Sequence, residues 1–123
     1  MPKLIRASDQ VCVVDRLRFA DAFLSRLRGL IGVKHFERGE GVLFPRCNSI
    51  HMWMMSIPID VVFLKMNRKS PSQEWTVLSV HSQLKPWRLL PVSKMSADDV
   101  LELPAGVVNS VSLKSGEVLC IAS

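Results

Sequence analysis

Hydrophobic positions along the chain change period several times, and each change marks an element. Val11 to Val14 form a short apolar run that predicts a strand. In "RFADAFLSRLRGLIG", Phe19, Phe23, Leu24, Leu27, Leu30 and Ile31 recur at helical spacing, and Gly29 and Gly32 mark the end of an amphipathic helix. "HFERGEGVLF" then reads as a turn entering a strand at Val42 to Phe44. Two extended segments follow, Cys47 to Met55 and Ile59 to Met66, separated by Pro58, whose ring disfavours helix for the residue before it.

The polar stretch "NRKSPSQE" predicts a surface hairpin loop leading into the strand "WTVLSVHS". "LKPWRLLPVSKMSADD" has no clear period, and an irregular segment of that length suggests a binding loop or lid. A strand ending at Leu103 comes next, then Pro104 near the first helical position, a short helix through Leu113, a turn at Gly116 and a closing strand. With more strands than helices, the order predicts an α+β fold: a compact β-rich domain with a largely antiparallel, partly closed sheet and two short helices.

With 123 residues, 48% of them hydrophobic, the chain suits a single domain over residues 1–123 with a substantial core. No apolar run approaches the roughly 18 to 20 residues of a membrane span, and "MPKLIRASDQ" lacks the pattern of a signal peptide, so a cytoplasmic protein is expected. The net charge of +5 allows an anionic partner. Its lysines and arginines are scattered from Lys3 to Lys114 without interleaved aromatics, which argues against nucleic-acid binding. Cys12, Cys47 and Cys120 have no CxxC pairing and are expected to be reduced, mostly buried thiols.

The stretch "CNSIHMWMMSIPIDVVFL" concentrates the candidate chemistry. Both faces of an extended Cys47–Met55 segment are apolar, which makes its methionines core filler. Four residues of strand span about 13 Å, too far for Cys47 and His51 to share a metal or to act as a nucleophilic pair. No metal and no cofactor are therefore expected. Asp60 is surrounded by apolar neighbours, where a carboxylate needs compensating partners. It reads either as a structural acid tied to an arginine, with Arg28 or Arg88 first in line, or to backbone amides near Pro58, or as a pocket carboxylate.

Taken in order, "RGLIG", "GVLFP", the Cys47–Leu64 stretch, "LKPWR", "LELPAG" and "LKSGEVL" resemble the bacterial and archaeal family known as domain of unknown function 192, over about residues 11–121. The resemblance implies a small β-rich α+β domain, exported in some members, with no established activity. It looks like the subgroup carrying Cys47, His51, Pro58, Asp60, Pro86, Trp87 and Arg88 at matching places. It departs from that subgroup in a longer, more basic hairpin, "KMNRKSPSQEW", and in Met52, where a small polar residue is common.

The ligand-binding candidates are His51, Asp60, Arg28, Trp87, Arg88 and Gly106, the last at the "LPAG" helix start, where free amides favour an anion. Arg88 could fork to an anion and Trp87 could stack on a ring; the structural alternative makes Trp87 a core lid and Arg88 the partner of Asp60 or Glu102. His35 and His81 lie in a turn and a polar strand end without nameable partners. The favoured reading is a non-enzymatic binding or accessory module for a small anionic or sugar-like ligand or a partner protein. The alternative is a small hydrolase or lyase using His51 and Asp60 as base and orienter.

Overall fold

The structure is a computed structural model and describes residues 2–20, 36–50, 57–85 and 92–122. In chain order the strands are β1 (Lys3–Arg6), β2 (Cys12–Val14), β3 (Arg16–Phe19), β4 (Glu40–Pro45), β5 (Ser49–Ile50), β6 (Ile59–Met66), β7 (Glu74–Leu84), β8 (Val92–Ser93), β9 (Asp99–Pro104) and β10 (Val118–Ala122). One helical turn, α1 (Val107–Ser110), follows β9.

Eight strands form one sheet in the order β2-β1-β10-β7-β6-β9-β4-β3, and β5 pairs with β8 in a separate two-stranded ladder. Every pairing is antiparallel except β3 with β4. The two margins, β2 and β3, are separated in the chain by Asp15 alone. In a flat sheet, seven interstrand gaps would hold them about 33 Å apart, whereas two residues of chain reach only about 7 Å. The sheet must therefore curl strongly. The Leu17 amide donates to the Pro2 carbonyl at 3.0 Å, carrying the start of β1 to β3 at the opposite margin.

Curling creates an inside and an outside. The inner core gathers Leu4, Val14, Leu17, Leu43, Val62, Leu64, Trp75, Leu101, Leu103 and Leu119 from around the sheet, with Val107 and Val108 of α1 added at one end. Side chains alternate along a strand, so the intervening residues of the central strands face outward. Val42, Phe44, Ile59, Val61, Phe63 and Val100 form a second buried cluster there. Residues 59–64 of β6 and all six of β9 are buried for this reason. An unbroken apolar run is what a strand covered on both faces requires.

Three sequence expectations are corrected. The sheet is open, since β2 and β3 form no ladder with each other; curling brings the margins together without partial closure. The two-helix description is not borne out among the described residues, where α1 is the one helix and has four residues. Arg18 and Phe19, placed at the head of the expected first helix, belong to β3, because their backbone pairs with Val42 and Leu43; residues 21–32 of that expectation lie outside the described residues. Cys12 is exposed on the marginal strand β2, while Cys47 and Cys120 are half-buried.

Gly41 permits the closest approach inside the curl. A Cβ built there would stand 2.8 and 2.9 Å from the two Val14 methyl carbons, and Val14 is fully buried with a stiff β-branched side chain. Gly41→Ala is expected to lower unfolding free energy by about 1–3 kcal/mol through overpacking, as read from urea denaturation; an unchanged midpoint would show that β2 yields freely.

Candidate functional site

Asp60 is completely buried on β6, opposite Leu103 of β9, and its side chain lies on the inner face. Its Oδ1 accepts a 2.7 Å hydrogen bond from the Gln83 amide. Its Oδ2 accepts from the Gly106 amide at 3.1 Å and the Val108 amide at 2.8 Å. The Gln83 bond has a local cause. The β6–β7 register shifts between Ile59 and Val61, and Gln83 adopts a left-handed φ of 53°. Such a bulge takes an amide out of the ladder, and Asp60 receives it.

The other two donors open α1, where Gly106 has a φ of 96°. The first amides of a helix have no partner within it. Here they are used by a side chain of the same protein. The "LPAG" start is thus engaged internally, and one turn of helix offers no separate dipole site for an anion. Among the described residues the partners of Asp60 are backbone amides, but those of Gln83, Gly106 and Val108 rather than any at the turn around Pro58. Arg28 and Arg88, expected as its basic partners, lie outside those residues, as do His51 and Trp87. The structure therefore brings together Asp60 and Gly106, as acceptor and donor within the fold.

A second buried aspartate, Asp99, occupies the inner face at the other end of the β6–β9 pair, opposite Leu64. Its Oδ2 accepts a 2.6 Å bond from the Trp75 indole N–H and its Oδ1 accepts from the Arg46 amide at 3.0 Å. Asp98 turns the other way. It accepts from the Met66 amide at 2.9 Å and pairs loosely with Lys65 at 3.5 Å and Arg68 at 3.4 Å.

Around this end of the sheet lies an open cleft of about 440 Å³ lined by Pro45, Arg46, Cys47, Asn48, Met66, Arg68, Ala97, Asp98 and Asp99. Its walls are the end of β4, the end of β6 and the start of β9. Arg46 and Arg68 are exposed, and the Cys47 thiol donates to the Ser49 carbonyl at 3.2 Å. Sequence reasoning missed this cleft, because its residues come from three distant stretches. The available signal was polar: "RCN" directly follows one buried strand and "AD" directly precedes another, and antiparallel pairing of β4 with β9 places them side by side.

Glu102 was noted in the sequence only as a partner for Arg88. It is buried on the outer face of β9, between Val42 of β4 and Val61 of β6, and its Oε2 has no hydrogen-bond partner among the described residues. Burial pushes its carboxyl up to about 8. Among the described residues, no three His, Cys, Asp or Glu side chains converge as a metal site would require. Nor is any helix there long and apolar enough to cross a membrane.

A small, strongly curled β-sheet domain, plugged at both ends by buried aspartates and carrying a polar cleft at one of them, is the class these features define. The chain belongs to the domain of unknown function 192 family, described as uncharacterized ACR, whose model matches residues 4–121. A UPF0127 protein of Pyrococcus furiosus is 36% identical over 110 residues, covering 84% of each chain. Another, from Thermococcus kodakarensis, is 31% identical over 108 residues, covering 85% of this chain and 63% of that protein. The chain thus spans under two thirds of the length of the Thermococcus relative. Both relatives are archaeal.

Among solved structures, a protein of unknown function from Novosphingobium aromaticivorans superposes with a TM-score of 0.79 at 20% identity, covering 97% of this chain and 83% of its own. A Sinorhizobium meliloti protein described as a candidate transcription regulator does so with a TM-score of 0.79 at 23% identity, covering 98% and 91%. At such identities the likeness is one of fold.

Two outcomes follow from the carboxyl groups. Asp60→Ala would strand three amides and should cost about 3 kcal/mol or more, while Asp60→Asn, which turns an N–H₂ toward one donor or another, should cost about 1–3 kcal/mol. Urea unfolding of both variants measures this, and a neutral Asp60→Asn would contradict the donor geometry. For Glu102, the folded protein keeps a proton that the unfolded chain, with a carboxyl near 4.5, gives up. Its contribution to stability is therefore present below about 4.5 and is lost as pH rises toward about 8. Glu102→Gln should remove that part of the slope when unfolding is compared at about pH 5 and about pH 9; identical slopes in parent and variant would contradict it.

Proposed function

We propose that the chain is a non-enzymatic binding module that holds a small anionic ligand, a phosphate or carboxylate, in the cleft formed by Pro45 to Asn48, Met66, Arg68 and Ala97 to Asp99. The observation that carries this reading is that the exposed guanidinium of Arg68 lines a cleft whose two acids are held by the fold. Asp99 is committed to the Trp75 indole and the Arg46 amide, and Asp98 to the Met66 amide, Lys65 and Arg68. Arg46 and Arg68 are exposed, and Arg68 meets Asp98 only at 3.4 Å, at a part-exposed position where an ion pair adds little and can be exchanged for a ligand. The overall charge of +5 favours approach of an anion.

Enzymatic use of Asp60 with His51 has less support. A base must be reachable by water or substrate, and Asp60 is fully buried with both oxygens held by backbone amides.

Titration with inorganic phosphate, followed by amide chemical shifts, tests the proposal. Saturable shifts at Cys47, Asn48 and Asp98 are expected. Arg68→Gln should weaken binding about tenfold, the loss of one charge-assisted contact, and added salt should weaken it further. Shifts scattered over the basic surface, or an Arg68→Gln variant that binds as the parent does, would overturn it.

A further inference from the structure

The cleft at the end of β4 is larger than a bare anion needs. Its volume is about 440 Å³, within the range of about 300–1,000 Å³ that sites for whole small molecules occupy. Both halves of the core reach the surface there. Met66 packs against the inner cluster, Cys47 and Ala97 pack against the outer one, and all three line the cleft together with Pro45. Among the described residues the formal charges along it cancel, Arg46 and Arg68 standing against Asp98 and Asp99. A single negative charge suits that balance, whereas each further one meets the acids.

Arg68 also shows which head group its guanidinium fits. Its Nη1 and Nη2 donate to the two oxygens of Asp98, each at 3.4 Å, a fork laid onto a planar carboxylate. Close charge-assisted contacts run at about 2.7–2.9 Å, so this fork is slack, and the Arg68 side chain is 65% exposed. Asp98 keeps the Met66 amide and Lys65 when Arg68 turns to a ligand. The amides of Arg46, Cys47, Met66, Ala97 and Asp98 all donate within the fold. These segments therefore do not form the nest of free amides by which backbones cradle phosphate.

We infer that the ligand of the cleft is a small monocarboxylate with an apolar chain or ring, its carboxylate forked by Arg68 and its body laid over Pro45, Met66 and Ala97, a ligand class that rests on the anion-binding reading above and narrows it. Carboxylate and body have separate contributions. The fork selects a planar two-oxygen head, and each methylene moved from water onto the apolar wall strengthens binding about fourfold.

Titrations with acetate, hexanoate, hexanol and inorganic phosphate, followed by the amide shifts of Cys47, Asn48 and Asp98, separate these contributions. Hexanoate should bind at least about tenfold more tightly than acetate, as burial of two of its four additional methylenes requires. It should also bind more tightly than phosphate, and hexanol should give no saturable response at these amides. Met66→Ala should cut the preference for hexanoate over acetate severalfold and leave acetate affinity unchanged, with amide spectra and thermal unfolding verifying its fold; the four probes decide the matter on the parent protein alone if that variant does not fold. The monocarboxylate assignment is overturned if acetate or phosphate binds as tightly as hexanoate, if hexanol matches hexanoate, or if folded Met66→Ala keeps the full preference. Phosphate binding at the cleft without a gain from the hexanoate chain would sink this assignment and leave the anion-binding reading standing, whereas no saturable response to any anion would sink both.

Discussion

The Asp60 carboxylate, shared among three backbone amides, is the constraint on which the rest of this fold depends. Its Oδ1 takes the amide freed by the bulge at Gln83, and its Oδ2 takes the first amides of the helical turn. Without an acceptor there, the bulge would bury an unpaired N–H, and the segment after β9 would lose the contact that turns it over the end of the curl. Val107 and Val108 would then lose their place in the inner core. One side chain thus fixes a strand irregularity, a helix start and a core plug together.

Asp99 answers it at the opposite end. Because β6 and β9 are antiparallel, an aspartate near the start of each strand falls at opposite ends of the shared ladder. Asp99 orients the fully buried Trp75 and holds the amide of Arg46, whose left-handed φ of 53° ends β4. That left-handed residue turns the chain out of the sheet and so forms one wall of the cleft. The cleft is in this sense a consequence of core architecture: the same carboxylate that finishes the interior shapes the rim, and Asp98 beside it faces outward toward Lys65 and Arg68.

Much of the β architecture was legible because period-two and unbroken apolar runs report burial directly. "IDVVFL" and "VLEL" read as strands, and they are; the structure adds that both are buried on both faces and that Pro104, expected near a helix start, ends β9. Asp60 was legible as an anomaly, a lone acid in an apolar run, but its partners were not, since a bulge twenty-three residues away and a helix start forty-six residues away are properties of register rather than composition. The curl was partly legible; the open margins were not, because a single residue, Asp15, divides one extended segment into two strands that pair with different neighbours. The head of the expected helix failed for a related reason: Arg18 and Phe19 sit at helical spacing from later apolar residues, yet parallel pairing with β4 claims their backbone. The cleft was hidden because its polar residues adjoin only after β4, β6 and β9 align.

Glu102 and Asp60 look alike in the sequence, each a single acid within a strand of aliphatic residues, and the sheet gives them opposite fates. Asp60 faces inward at a ladder end, where bulge and helix amides need an acceptor. Glu102 faces outward at mid-ladder, where the backbone groups of β4, β9 and β6 already satisfy one another and have no donor to spare. Position within the ladder, not residue type or burial, therefore decides whether an acid serves the fold. An acid at a ladder end completes a hydrogen-bond inventory that the strands leave open. One in the middle finds no donor in the strands it lies between, so burial raises the Glu102 carboxyl instead, whereas the ladder-end aspartates are held by amides and an indole.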